Sequence, residues 1–145
     1  KFTDKLIKGE KIPVYNYGDM YRDFTYIDDI VQGIENVMNK APEPDDGGVR
    51  HKIYNIGNGN PEKLLDFIEI LENALLEENI IDKKGVKELL PMQPGDVYQT
   101  YADIAEMEKD FGFVSRIGLK EGLAQYAKWY AGYYGRKVLH GDRRI

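Results

Sequence analysis

Apolar positions along the chain switch between two periods. Ile27, Ile30, Val31, Ile34, Val37 and Met38 fall at helical spacing and predict a helix over about 28–39 with one buried face. Leu64, Ile68, Leu71 and Leu75 mark the core side of another helix, which Asn60 is placed to cap and Pro61 to begin. Asp103 with Glu106 three residues on has capping-box spacing and opens a further helix. Leu123, Tyr126, Ala127 and Tyr130 define one side of a last helix over about 119–134, and Phe2, Leu6 and Ile7 suit a helical opening stretch. Three runs read instead as strands: 12–17 (IPVYNY), 21–27 and 52–56 (KIYNI), the first two separated by the turn signal Gly18-Asp19. Residues 41–51, with two prolines and two glycines, read as a connection, and 77–87 as a polar, charged stretch. Strands alternating with helices predict an α/β architecture with few strands, without an internal repeat.

Composition narrows what such a chain does. With 145 residues, of which 42% are hydrophobic and 31% charged, it is long enough to bury a core of its own. A formal net charge of -5 disfavours broad binding along a nucleic-acid backbone and leaves room for a local basic pocket. There is no cysteine, which removes disulfides, zinc–thiolate sites and a thiol nucleophile together. No apolar run reaches the ~18 residues of a membrane span, so the expectation is a cytoplasmic protein that binds neither nucleic acid nor membrane. The opening KFTDKLIKGEKIP has no initiator methionine, and the chain is expected to be a piece of a longer one.

Candidate chemistry has to be weighed against plainer uses of the same residues. Gly57 and Gly59 in IYNIGNGNPEKLL follow a strand signal and precede a helix signal, as in a dinucleotide fingerprint, but position 62 is glutamate where a third glycine belongs. A carboxylate there would repel a pyrophosphate, so a tight turn is the better reading. Tyr133 and Lys137 have the Tyr-x-x-x-Lys spacing of a dehydrogenase pair, yet Gly135 interrupts it at the expected helix end, which favours a helix terminus with a basic tail. His51 and His140 are far apart and without neighbouring ligands, so no metal site is expected. Asp28 and Asp29 sit at a predicted helix start, where capping is the simpler role than acid–base chemistry. Arg22 heads the run RDFTYIDDIV, either as a solvated strand-end residue or as a cation aimed at an anion; Pro94-Gly95-Asp96 is a turn signal.

IPVYNYGDMYRDFTYIDDIVQGI (12–34), YNIGN (54–58), LPMQPGDVYQTYAD (90–103) and GLKEGLAQYAKWY (118–130), in this order, resemble the C-terminal part of the nucleotide-sugar epimerases and dehydratases of the extended short-chain dehydrogenase/reductase family. YNYGDMYRDFTYIDDIV and MQPGDV are most similar to the UDP-glucuronate 4-epimerase branch. The resemblance implies an α/β fragment of a Rossmann-type protein holding the substrate-binding region and a strand of the parent sheet. It implies that Arg22 reaches the diphosphate of a UDP-sugar, that Asp96 accepts hydrogen bonds from the ribose hydroxyls, and that Val14 and Tyr15 lie against the uracil. Gln93 stands where UDP-galactose epimerases carry a second diphosphate-binding arginine, which favours the glucuronate branch.

The same resemblance sets further expectations. The catalytic Ser/Thr and Tyr-x-x-x-Lys groups and the glycine-rich NAD turn of such enzymes precede the matched region, so no catalytic or NAD-binding residue is expected here and the chain alone is expected to be inactive. The whole enzyme would pass a hydride from sugar C4 to NAD, let the 4-keto sugar rotate, and return the hydride to the other face. Alternatives are a decarboxylase or 4,6-dehydratase of the same family, or a non-catalytic nucleotide-binding module. Residues 1–135 are expected to form the substrate-binding part and 136–145 a poorly ordered basic tail. Apolar surface left by the missing part predicts a homodimer or looser self-association.

Overall fold

A computed structural model describes the backbone of residues 1–139 and side chains as far as residue 135. In chain order the elements are α1 (Phe2–Lys8), β1 (Ile12–Val14), a 3-10 turn (Tyr15–Gly18), β2 (Tyr21–Arg22), α2 (Ile27–Met38), β3 (Glu62–Lys63), α3 (Leu64–Glu77), β4 (Lys87–Leu89), α4 (Ala105–Phe111) and α5 (Leu119–Leu139). They fall into two units. The first combines residues 1–20, 63–96 and the chain from 119 onward; the second combines 21–62 and 97–118. No helix among the described residues is long and apolar enough to cross a membrane.

The first unit is built on apolar burial. Ile68, Leu71, Ala74 and Leu75 of α3 are buried with Leu123 and Ala127 of α5, Leu6 of α1, and Ile12 and Val14 of β1. β1 runs parallel to β4, pairing Ile12 with Lys87, Pro13 with Glu88 and Val14 with Leu89. The carboxylate of Glu72, fully buried on α3, is satisfied by the amide of Gly85 at 2.9 Å and by Lys87 Nζ at 3.0 and 2.8 Å. A buried charge is tolerated only with such partners, so the apolar helix face carries one polar tie to the strand beyond it.

In the second unit α2 packs through Gly33, where a Cβ would stand 2.9 Å from Ile56 and 3.2 Å from Phe113. Met107 and Phe113 are its buried apolar residues. Of the six apolar positions expected to face a core, Ile30 and Val37 are half-buried, whereas Ile27, Val31, Ile34 and Met38 are exposed, Met38 by 79%. The helix is where the periodicity predicts it, but what closes on it is a glycine and a carboxylate, Asp29.

Other elements also depart from expectation. The strand over 12–17 stops at Val14, because Asn16 and Tyr17 take positive φ values of 47° and 53° and turn the chain. The strand over 21–27 shrinks to Tyr21–Arg22. Residues 52–56 form no ladder among the described residues, and a strand exists only through a paired neighbour. Asn60 does not cap α3: its side chain bonds Glu62, residues 62–63 are extended, and the first helical amide, Leu64, donates to the carbonyl of Met20 at 2.9 Å. At α4 the side chain of Asp103 accepts from the Ala105 amide at 3.0 Å, whereas Glu106 pairs with Lys52 rather than closing a box. α5 continues through Gly135 to Leu139, so that glycine does not end the helix. The Tyr130 and Tyr134 rings meet tilted at 4.4 Å and Trp129 stacks on Tyr133 at 5.3 Å, neighbour contacts one turn apart that favour helix over the glycine's preference for coil. The expected tail from 136 has no described side chains, and His140 and the residues after it lie outside the described part.

Candidate functional site

Four of the five expected ligand-binding residues belong to the first unit. Val14 is fully buried in the core, and its carbonyl accepts the amide of Leu90 at 2.9 Å; Leu90 in turn accepts the amide of Tyr17 at 2.9 Å. Tyr15, half-buried, begins the 3-10 turn directly after β1. The parallel pairing therefore carries the chain leaving β4 alongside the Val14–Tyr17 segment, and that chain continues into Gln93–Asp96. There the amide of Asp96 donates to the carbonyl of Gln93 at 3.1 Å across Pro94 and Gly95. Gly95 has φ +83°, the conformation the third position of a type II turn requires, so the Pro-Gly pair sets Gln93 and Asp96 side by side.

Arg22 belongs to the second unit. Its Nη1 donates to the carbonyls of Tyr21 at 2.8 Å and Tyr98 at 3.2 Å. The same carbonyls serve the backbone: the Tyr21 amide donates to Tyr98 at 3.0 Å, and the Thr100 amide donates to Tyr21 at 3.2 Å. The guanidinium is thus oriented by main chain rather than by solvent, the pre-organised fork that suits phosphate oxygens. Distances within the second unit join Arg22 to Tyr98, a residue that no local sequence signal marks; its aromatic ring lies 5.8 Å from that of Tyr21.

The glycine-bearing loop does not fit a dinucleotide pyrophosphate. The amides of Asn58 and Gly59, which would have to cradle phosphate oxygens, donate to the carboxylate of Asp23 at 3.2 and 3.1 Å. No helix starts at its end either, since α3 begins at Leu64. α2 has no side-chain cap hydrogen bond, and Asp29 serves elsewhere: it is 6% exposed and its Oδ2 accepts from the Ser115 hydroxyl at 2.8 Å and from the amides of Arg116 and Ile117, both at 3.1 Å. No cluster of metal-ligating side chains occurs among the described residues.

One charged network is concentrated at α4. Lys52 donates to Asp110 at 2.6 Å and to Glu106, and the Tyr54 hydroxyl donates to Asp110 at 2.8 Å. Hydrogen bonds from Lys52 and then Tyr54 hold the Asp110 carboxyl below the usual carboxylate range. Its bonds to Asp110 and Glu106 push Lys52 up, and burial, with the bond to Asp110, raises Tyr54. These groups stabilise each other's charged or donor forms; the arrangement is a clasp between residues 52–54 and α4.

Comparison with known proteins shows the family of the chain. Residues 2–126 match the family described as GDP-mannose 4,6 dehydratase. An uncharacterized protein of Methanocaldococcus jannaschii is 42% identical over 130 residues, which are 90% of this chain and 36% of that protein. A probable UDP-glucuronate 4-epimerase of Rhizobium meliloti is 34% identical over 148 residues, covering 94% of this chain and 42% of the relative. The crystal structure of UDP-glucuronic acid 4-epimerase from Bacillus cereus, in complex with UDP-glucuronic acid and NAD, superposes with a TM-score of 0.70 at 25% identity, over 89% of this chain and 38% of that one. The chain therefore spans about two-fifths of the length of the relatives it matches. With the match running from Phe2 to Tyr126, the chain belongs to the GDP-mannose 4,6 dehydratase family, the nucleotide-sugar epimerases and dehydratases of the extended short-chain dehydrogenase/reductase class.

Proposed function

We propose that this chain is the nucleotide-holding part of a UDP-sugar 4-epimerase acting on UDP-glucuronate or UDP-glucose. The observation that carries the reading is the likeness, over 94% of the chain, to the probable UDP-glucuronate 4-epimerase of Rhizobium meliloti, together with Arg22 on backbone carbonyls. In this reading Arg22 binds the diphosphate, Asp96 accepts the ribose hydroxyls, Gln93 lies beside them on the same turn, and Val14 and Tyr15 back the uracil. Each is a binding role; no residue of the chain is assigned to proton or hydride transfer. NAD, when bound, supplies the hydride chemistry of such an enzyme. The Gly57–Gly59 loop is not its cradle, because the loop's amides are already bonded to Asp23.

A second reading, a 4,6-dehydratase, is favoured by the description of the matching family. It uses the same grip on the nucleotide and differs in what happens to the sugar. Product analysis with UDP-glucuronate and with UDP-glucose, on the full-length polypeptide carrying this chain, separates the two: a C4 epimer of either supports the first, and a 4-keto-6-deoxy product from UDP-glucose supports the second.

The test of the nucleotide grip is calorimetric titration of the chain with UDP and UDP-glucuronate, beside Arg22→Ala. A charge-assisted contact of about 1.5–3 kcal/mol predicts roughly tenfold to hundredfold weaker UDP binding in the variant. Equal binding by both proteins, or none by a folded wild-type chain, sinks the reading of a preformed nucleotide site.

A further inference from the structure

The loop that imitates a phosphate cradle already holds an anion belonging to the protein. Asp23 Oδ1 accepts the amide of Asn58 at 3.2 Å, and its Oδ2 accepts those of Gly59 at 3.1 Å and Ala102 at 2.9 Å. Its own amide donates to the Thr100 hydroxyl at 3.0 Å. A single carboxylate therefore ties together the segments around residues 23, 58 and 102. Gly57 shows how close the tie is: a Cβ there would come within 2.4 Å of Ala102 Cβ and 3.3 Å of Asp23 Oδ2, so the loop reaches the carboxylate only without a side chain.

The neighbour of this residue is Arg22, and the two share a frame. Arg22 Nη1 is bonded to the carbonyls of Tyr21 and Tyr98, and those carbonyls are fixed by the Tyr21–Tyr98 and Thr100–Tyr21 backbone bonds. The Asp23 amide continues that seam at Thr100, and the Asp23 carboxylate closes it at Ala102. Release of the carboxylate would free the 57–59 loop and the Ala102 amide together, and so loosen the end of the seam whose Thr100–Tyr21 bond helps to fix the carbonyls that aim the guanidinium.

We propose that Asp23 is a positioning residue for Arg22: by occupying the amide nest of the 57–59 loop and locking it to Ala102, it pre-organises the guanidinium for the diphosphate of a nucleotide ligand. The inference deepens the nucleotide-holding role proposed above and rests on it. A pre-organised group gives up little freedom on binding, which is where such a residue contributes affinity without touching the ligand. Asparagine cannot replace the carboxylate, because its amide end would face an N–H donor instead of accepting from it.

Asp23→Asn is the test, with UDP as the ligand and the Arg22 guanidinium as a second, ligand-free reporter. UDP affinity is expected to fall by about tenfold to a hundredfold, by analogy with the loss when the partner that orients a metal-binding side chain is removed. The same substitution in an Arg22→Ala background is expected to change UDP binding little, because the group being aimed is gone. In the absence of any ligand, hydrogen exchange of the Arg22 guanidinium, followed by nitrogen-15 NMR, is expected to quicken in Asp23→Asn. An equal loss of affinity in both backgrounds, or an exchange rate unchanged in folded Asp23→Asn, overturns the proposal. Absence of UDP binding by the wild-type chain defeats the nucleotide reading instead, and the exchange rate then decides whether Asp23 positions Arg22. Should Asp23→Asn not fold, Thr100→Val, which removes only the hydroxyl accepting the Asp23 amide, takes its place in the same measurements, with the same outcomes supporting or overturning the proposal.

Discussion

The two units differ in what stabilises them. In the first, an apolar core dominates: Ile12, Val14, Ile68, Leu75 and Ala127 are fully buried, and Glu72 is the one carboxylate among the described residues carried inside with them. In the second, buried apolar side chains are few, and carboxylates gripping backbone amides hold the segments together. Asp23 takes three amides, Asp29 two amides and a hydroxyl, and Asp45 the amides of Gly47 and Val49. Hydrophobic burial is non-directional and gives bulk stability, whereas hydrogen bonds to a charged acceptor fix geometry. A unit that must aim a guanidinium gains more from the second kind.

The comparison breaks most visibly if the first unit does not depend on its core. Leu75→Ala, at a fully buried position, is expected to cost about 2–5 kcal/mol, read from the denaturant midpoint. The parallel truncation in the second unit, Met38→Ala at a 79% exposed position, is expected to stay within about 0.5 kcal/mol. Equal costs would mean that the α2 stripe is buried in solution. Next in size stands Asp29→Ala, which strips acceptors from Ser115, Arg116 and Ile117 and is expected to cost about 1.5–3 kcal/mol on the same measurement. A negligible loss would show that apolar contact, not the carboxylate, sets the second unit.

The uncovered stripe carries a prediction about association. Ile27, Val31, Ile34 and Met38 on α2, with Ile53 at 81% exposure, leave apolar side chains in water. Such surface favours self-association. Sedimentation of the chain is expected to show oligomers at high concentration, reduced by Ile34→Lys with Ile53→Lys. A wild-type chain that stays monomeric throughout counts against the stripe as an associating surface.

How legible these features are in the sequence follows from how local their causes are. α3 and α5 are readable because the face marked by Ile68, Leu71, Leu75, Leu123 and Ala127 is the face buried in the same unit. The α2 stripe is equally periodic, yet periodicity records where apolar residues lie and not what covers them. β4 is not readable: Lys87–Leu89 is a strand because β1 lies beside it, a cause more than seventy residues away. The candidate site divides in the same way. The Gln93–Asp96 turn follows from Pro94 and Gly95, whereas the anchoring of Arg22 depends on Tyr98, 76 residues on. Asp23 lies within a run that reads as a strand and Asp29 at a local helix start, and both act instead on segments 35 to 88 residues distant.

A smaller expected effect tests whether the clasp at α4 belongs with the geometric ties of the second unit. The Asp110 carboxyl is held below its usual range by Lys52 and Tyr54, so the unfolded chain takes up this proton first as pH falls. Its contribution is therefore whole above the ordinary carboxylate value of about 4 and is lost as pH drops through the lower folded value. Lys52, raised by Asp110 and then Glu106, behaves oppositely: its contribution is whole below the ordinary lysine value of about 10.4 and is lost only as pH rises through the higher folded one. Between roughly pH 5 and pH 9 neither group changes charge, and the clasp is constant. Melting temperatures of the wild-type chain and Asp110→Asn should then differ by a steady, small amount across that window, converge as pH falls below about 4, and draw closer with added salt. The groups are on the surface, where water and ions screen them, so the gap is expected to be smaller than the losses at Leu75 and Asp29. A gap that persists undiminished in acid would assign the clasp's effect to packing of Tyr54 against Phe111, whose rings meet edge to face at 4.9 Å, rather than to charge.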